Sequence, residues 1–430
     1  MKPKKIVKYC IESMQNTGAD KSQCYLIQKE KNELNVERGE ITPFRTNFET
    51  SIQLTAIMDG KKGTLTINKE DKKSIDVAVE KVLAIATISE PDSGNDISEK
   101  QASKIFDSGP SDMDANKMYD RLEEFLPWVK KEYPKMIFEQ LSLGFQKLNV
   151  YFQNSNEADF QSNQGFYNFM AKFTAKVGNK TSSPNYCSFS TLELDKALKD
   201  EGLLETLIQQ SSEQINTQNF SRKITGDVII TPHCLDDFFD YITSYLSDYF
   251  LISDISVFKD KLNELIAAKK FTLHSKPVSK EIANGYFITS DGYEAKNSTI
   301  IEKGVLRTFL LSLYGANKTG HERAVNSGGC YVVDPGNISF EEMVKNVKSG
   351  ILLCSFSGGN PSNNADFSVV AKNSYYIKDG KIQHRLSETM ISGNLAEMLK
   401  NIVDISKERV NFGNSILPWI RFKNIIISGK

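Results

Sequence analysis

SDGYEAKNSTIIEKGVLRTF, residues 290–309, sets the character of the second half of the chain. Two turn signals, Asp291-Gly292 and Lys303-Gly304, bracket short apolar segments that repeat with a period of two. From about residue 284 onward the pattern continues. Strands are expected at 285–289, 297–301, 305–313, 351–356, 367–377, 381–386 and 422–428, and Gly358-Gly359 and Asp379-Gly380 supply further turns. Helical periods interrupt at 339–348 and 394–403. The plain reading is a glycine-punctuated antiparallel sheet, curled or barrel-like, with capping helices.

Upstream the period changes again. Residues 4–17 and 72–88 carry helical apolar stripes; between them lie strand-like segments at 23–29, 33–37, Ser51–Met58 and Thr64–Asn68, the last two joined by Asp59-Gly60. This makes an αββββα unit over residues 1–90. The Ser-, Asp-, Gly- and Pro-rich stretch 91–113 reads as a linker. A middle α+β region, 114–222, follows, with helices expected at 114–132 and 192–218 and long strands at 136–152 and 158–178. The last region, 223–430, opens with the strand Ile224–Thr231 and helices expected at 234–250 and 254–269 before the β-rich part begins. The fold class is therefore α+β.

Composition excludes several functions. Of 430 residues, 40% are hydrophobic and 25% charged, which suits a globular protein. Lys and Arg total 53 against 54 Asp and Glu, so there is no basic excess to hold nucleic acid. No apolar run approaches the roughly 20 residues that cross a bilayer, and the basic N-terminus lacks an apolar signal core, so a cytoplasmic protein without membrane contact is expected. The six cysteines form no CxxC pair and read as reduced, mostly buried thiols. The four histidines are too far apart in sequence for an HExxH-type zinc helix.

Individual candidates are weak. His321-Glu322 has Val325 and Asn326 where a second ligand would be needed, and reads as a loop histidine. His233-Cys234 leads into a helix bearing Asp236, Asp237 and Asp240; the acids suit a helix N-terminus, with a carboxylate metal site as the sharper alternative. SFSGGNPS has no nucleophile elbow and no phosphate-cradling Lys-Ser/Thr. Residue chemistry alone assembles no catalytic set.

Order and spacing of motifs add a resemblance. SDGYEAKNSTIIEKGVLRTFLLSLYGANKTGHERAVNSGG (290–329), the run from Gly350 to Ser406 containing NPSNNADFS, and SILPWIRFKNIIISGK (415–430) resemble the C-terminal core of the TldD/PmbA family. LNVERGEI (34–41) and AIMDGKKGTLTIN (56–68) resemble its N-terminal unit. TldD-type chains of that family carry HExxxH and a late Cys that hold zinc for peptide-bond hydrolysis; PmbA (TldE)-type chains lack them. Here the corresponding helix reads CLDDFFDYITSYLSDYF (234–250), and VNFGNSILPWIRF (410–422) has no Cys. One departure is the bulk after Asp366-Phe367-Ser368, where the family usually keeps glycines.

The resemblance implies a non-catalytic or regulatory PmbA/TldE-like subunit of a metalloprotease complex acting on unfolded or short peptides, and carries the family's label of DNA gyrase modulator. It implies no catalytic or metal residues in this chain, zinc only in a TldD-type HExxxH partner, and a heterodimer with that partner or a homodimer. Peptide- or partner-contact candidates are Asp291, Gly292, Asn360, Pro361, Asp366 and Phe367. Two other readings stay open: an active metal-dependent peptidase built on Asp236, Asp237 and Asp240, and a peptide-binding scaffold homodimer.

Overall fold

The computed structural model describes residues 1–429. The helix Pro3–Asn16 begins on a proline, whose fixed φ suits a first turn, and buries Ile6, Val7, Cys10, Ile11 and Met14. The helix Lys72–Ile88 is capped by Asp71, which accepts the Ser74 N–H at 3.0 Å. Both cover one face of a nine-stranded sheet whose order runs Lys61–Ile67, Arg45–Met58, Lys21–Glu37, Met136–Asn154, Asp159–Val177. The two segments expected at 23–29 and 33–37 are one long strand, Lys21–Glu37. The helices Ala115–Glu132 and Leu204–Glu213 build a second core against the same sheet, around Phe125, Leu143, Phe169 and Phe173.

The stretch 91–113 runs along this sheet. Its strand Lys104–Ser108 lies parallel to the start of Asp159–Val177, while Asn185–Thr191 pairs with the next part of that same strand. Asp92 accepts the Tyr314 hydroxyl at 2.8 Å and pairs with Lys318 at 3.1 Å, tying the stretch to the C-terminal half.

The second sheet has fourteen strands. Its path runs from Gln218–Asn219 through Lys381–Ser387, Tyr375–Lys378, Ser349–Leu353, Lys223–Ile230, Ile416–Ser428, Tyr331–Val333, Leu273–Ser275 and Ser298–Glu302 to Val305–Leu306. It is mixed rather than antiparallel: Lys223–Ile230 runs parallel to Ser349–Leu353, a pairing that needs the long crossover between them. The path ends on two edges, so the barrel-like expectation is corrected to an open sheet. Both faces are covered. Val228 and Ile230 join the main core under the helix Pro232–Ser244, and Ile229 joins the opposite cluster with Met343, Val347 and Ile377. That explains the unbroken apolar run in this strand.

Other expectations fail for local reasons. The helix expected at 192–218 shrinks to Leu204–Glu213 because Gly202 and Leu203 both take positive φ, +57° and +65°. Residues 254–269 are turns, broken by Asp254 and Asn263 in the left-handed region. The strand expected at 305–313 stops at Leu306, and Ser312 caps a new helix, Leu313–Thr319. Residues 285–289 make only an isolated bridge, Ile288 to Glu294.

The two sheets meet along a seam of backbone contact. The Ser190 N–H donates to the Phe412 carbonyl at 2.8 Å. Gly413, at φ +83°, lies so close that a Cβ there would sit 1.9 Å from the Ser190 carbonyl oxygen. Gly413→Ala is therefore expected to cost about 2–4 kcal/mol, through left-handed strain and a backbone clash that no rotamer relieves. Thermal unfolding of this variant against the parent chain measures it.

Candidate functional site

The helix Pro232–Ser244 starts on a proline and buries Cys234, Leu235, Phe238, Phe239 and Ile242 in the C-terminal core. Positions 236, 237 and 240 fall outside that stripe, so Asp236, Asp237 and Asp240 lie on the side away from the core, toward the seam. Asp236, Asp237 and His233 line a cavity of about 310 Å³, closed on the other side by Tyr186, Ser188 and Ser190 of the N-terminal sheet. Side chains two residues apart on a strand share a face, which is how these three come to front one cavity.

The electrostatics of this cleft are one-sided. Burial, then the charges of Asp240 and Asp237, push the Asp236 carboxyl up to about 6, with Ser415 opposing. Burial and Asp240 raise Asp237; burial raises Asp240, with Tyr331 opposing. No cationic side chain acts on any of the three. Burial pushes His233 down to about 4, so its imidazole is neutral at pH 7. The ring packs on Tyr186 at 4.6 Å, and its Nε2 is shielded from solvent with no hydrogen-bond partner.

A second cluster pins the loop 287–295 at the same seam. Asp291 accepts from Arg323 Nε at 2.7 Å and Nη2 at 2.7 Å, and from the Leu313 N–H at 2.8 Å. Burial raises the Asp291 carboxyl, but Arg323, Thr289 and the Leu313 N–H outweigh it and hold the group below the usual range. Arg323 also lies 3.6 Å from the Tyr293 ring centroid. Tyr25, on the face of the N-terminal sheet opposite Cys24 and Leu26, donates its hydroxyl to the Thr289 carbonyl. Gly292, at φ +84°, rests on Phe152, where a Cβ would come within 2.3 Å of the ring.

The structure separates the six contact candidates. Asp291 and Gly292 sit in this pinned loop. Asn360 and Pro361 lie in the turn between the strands Ser355–Gly358 and Asp366–Lys372. Asp366 is exposed and accepts from Asn394 at 2.9 Å, whereas Phe367 is buried edge-on against Phe238, 5.8 Å between ring centres. None of these four lines the acidic cleft. His321 ends in a turn with its ring edge-on to Phe309 at 4.9 Å. Sequence reasoning missed Arg323, although it lies inside the decisive 290–329 stretch, and missed Tyr186, which carries no motif.

Comparison with known proteins places this geometry. Residues 221–429 match the PmbA/TldA metallopeptidase C-terminal domain, and residues 23–86 match PmbA/TldA metallopeptidase domain 1. The chain belongs to the TldD/PmbA family. It is 31% identical over 241 residues to the metalloprotease PmbA homolog of Buchnera aphidicola subsp. Acyrthosiphon pisum, a match spanning 52% of this chain and 52% of that relative. It shares its fold with TldE from Thermococcus kodakarensis, at TM-score 0.84 and 19% identity over 99% of this chain and 100% of that one. A Bacteroides thetaiotaomicron protein described as a candidate modulator of DNA gyrase superposes at TM-score 0.87 and 19% identity, covering 99% of each chain.

The residues of this TldD/PmbA chain do not fit the zinc that its family implies. Among the described residues no group of three or more His, Cys, Asp or Glu side chains is placed to hold a metal ion. The nearby thiols are poor ligands as well: burial raises Cys234 and pushes Cys330 up to about 12. No helix among the described residues is long and apolar enough to cross a membrane.

Two stability predictions follow from the charges. The folded-state carboxyl of Asp236 titrates above its unfolded value, so its charge opposes folding above pH 6 and ceases to do so as pH falls toward 4. Asp236→Asn should thus raise stability at pH 7–8 by on the order of 1–3 kcal/mol, with the gain vanishing near pH 4 in denaturant titrations. Arg323→Ala should cost about 3–5 kcal/mol by stranding a buried carboxylate. That deficit should be largest at neutral pH and should narrow as acid protonates Asp291.

Proposed function

We propose that this chain is the non-catalytic or regulatory member of a PmbA/TldD-type metalloprotease, holding unfolded or short peptides while a partner chain with HExxxH supplies the zinc centre. One observation carries the reading. The helix that resembles the zinc helix of TldD-type chains presents Asp236, Asp237 and Asp240 instead, with no set of side chains arranged for a metal. Without bound zinc there is no activated water, and hydrolysis has to come from elsewhere.

The seam supports a peptide-holding role. The acidic cleft of about 310 Å³ and a separate, more apolar cavity of about 420 Å³ between Tyr25, Val150 and Ile288 accept side chains and short segments, not folded domains. An extended peptide would bring its ordering cost to the encounter, which disfavours tight binding and favours turnover by a partner. In this reading the assembly is a cytoplasmic heterodimer, and the gyrase label reflects an indirect effect, since the net charge is −1.

Reconstitution tests it. The purified chain should contain near-zero zinc by elemental analysis and should cleave no peptide. Mixed with the HExxxH chain of its own genome, it should co-elute with that chain and raise its peptidase rate. One zinc per chain, or peptidase activity of this chain alone that chelator removes, would overturn the reading.

A further inference from the structure

We propose that the outer edge of the N-terminal sheet, the strand Lys61–Ile67 beside the helix Lys72–Ile88, takes an acidic, extended peptide as an added strand. The inference names a substrate class for the peptide-holding role and rests on that reading. Lys61–Ile67 ends the sheet. Its start is covered: Lys61 bridges to Pro91, and the Asp92 N–H donates to the Gly60 carbonyl at 3.0 Å. Beyond Lys61, no strand among the described residues pairs with this edge.

The hairpin turn sets which backbone groups are free. Asp59 and Gly60 both take positive φ, +51° and +75°, and the turn closes on the pair Met58–Lys61. Alternate residues of the strand from Lys61 onward then bond back to Arg45–Met58. The others, Lys62, Thr64 and Thr66, turn their N–H and C=O outward. Residues 62–67 offer roughly 20 Å of unpaired edge, the template that strand addition uses.

A groove runs along the same edge. At Gly63 strand and helix touch: a Cβ there would lie 2.1 Å from the Val82 carbonyl oxygen. Toward Ile67 and Ser74 they part, and a cavity of about 770 Å³ opens between them. Leu65, Ile67 and Val77 supply its apolar surface, and Val77 is 41% exposed. Phe48, 75% exposed, stands on the same face of the sheet, two residues from Thr50, which also lines the groove.

Charge selects the occupant. Lys69, Lys73 and Lys81 rim the groove, are exposed, and form no salt bridge among the described residues. The one acid that lines it, Asp71, already caps the helix by accepting the Ser74 N–H at 3.0 Å. Three lysines against one aspartate leave the rim net positive. A second copy of this chain paired edge to edge would set lysine against lysine. An acidic segment with apolar residues at alternate positions matches both the rim and the floor.

The edge also adjoins the seam. Ser51 and Thr66 line both this groove and the apolar cavity beside Tyr25. Side chains of an added strand alternate, so one set would enter the groove along the helix and the next would point toward that cavity.

The experiment measures binding of short capped peptides to the full-length chain by calorimetry. One peptide alternates valine and glutamate, and a second has lysine for each glutamate. Two more are the glutamate peptide N-methylated on the main chain, at every valine or at every glutamate. The glutamate peptide should bind at least about fivefold tighter than the lysine peptide, a gap that added salt narrows. An added strand bonds through alternate residues, so one methylation pattern should cost at least about tenfold and the other little. Thr64→Pro removes an outward N–H and leaves the pairing with Arg45–Met58, so it should weaken the glutamate peptide while thermal unfolding stays near the parent's. Lys73→Glu/Lys81→Glu should erase or invert the preference for glutamate.

Equal affinity for the glutamate and lysine peptides overturns the proposal, as does equal loss from both methylation patterns or unchanged binding in Thr64→Pro. A dimer of the parent chain in sedimentation that Thr64→Pro dissociates assigns the edge to a second copy and overturns it too. Co-elution with the HExxxH chain is measured alongside. Association without any acidic preference removes the groove and leaves the subunit role standing. Acidic preference without association does the reverse.

Discussion

The bidentate contact between Arg323 and Asp291 is the constraint on which the seam between the two sheets depends. It fixes the loop 287–295 from the C-terminal side. From the other side, Tyr25 donates to the Thr289 carbonyl, Gly292 lies flat on Phe152, and Phe106 stacks on Phe287 at 5.1 Å. An Arg–carboxylate fork is directional, so it sets the loop's orientation as well as its position. Both side chains are largely buried, so each needs the other: a lone Asp291 there would carry a desolvated charge, and a lone Arg323 likewise. The acidic cleft is held by a separate contact, the Ser190 N–H donating to the Phe412 carbonyl at 2.8 Å.

Much of this was legible in the chain. The amphipathic stripes of residues 4–17 and 72–88 gave helices within a residue or so, because their burial is one-sided and local propensity agrees with it. The long strands Met136–Asn154 and Asp159–Val177 were legible from length and aromatic content. The errors share a cause. Leu203, Asp254 and Asn263 take left-handed backbone conformations that no periodicity announces, and each ends or prevents a helix that apolar spacing alone would continue. The parallel pairing of Lys223–Ile230 with Ser349–Leu353 joins segments more than a hundred residues apart, and a strand buried on both faces looks the same whichever direction its neighbour runs.

The site was less legible than the fold. Asp291 and Gly292 were identifiable from turn chemistry, but the partner that gives Asp291 its role, Arg323, is defined by a tertiary contact. Phe367, expected at a contact surface, is a core residue instead: alternation along Asp366–Lys372 puts it inward while Asp366 faces out. Asp236, Asp237 and Asp240 looked like ordinary first-turn acids suited to the helix dipole. What changes the reading of Asp236 is the opposing strand, which half-buries it without bringing a cation, while Asp237 and Asp240 stay exposed.

That last arrangement carries an energetic consequence for the folded chain. The flank of the helix Pro232–Ser244 that faces the cavity is held in place by the buried stripe on its other side, whatever side chains it presents. Aspartates at that flank raise one another's protonation and destabilise the folded chain at neutral pH. An amide at any of the three positions would keep the shape and reduce the repulsion.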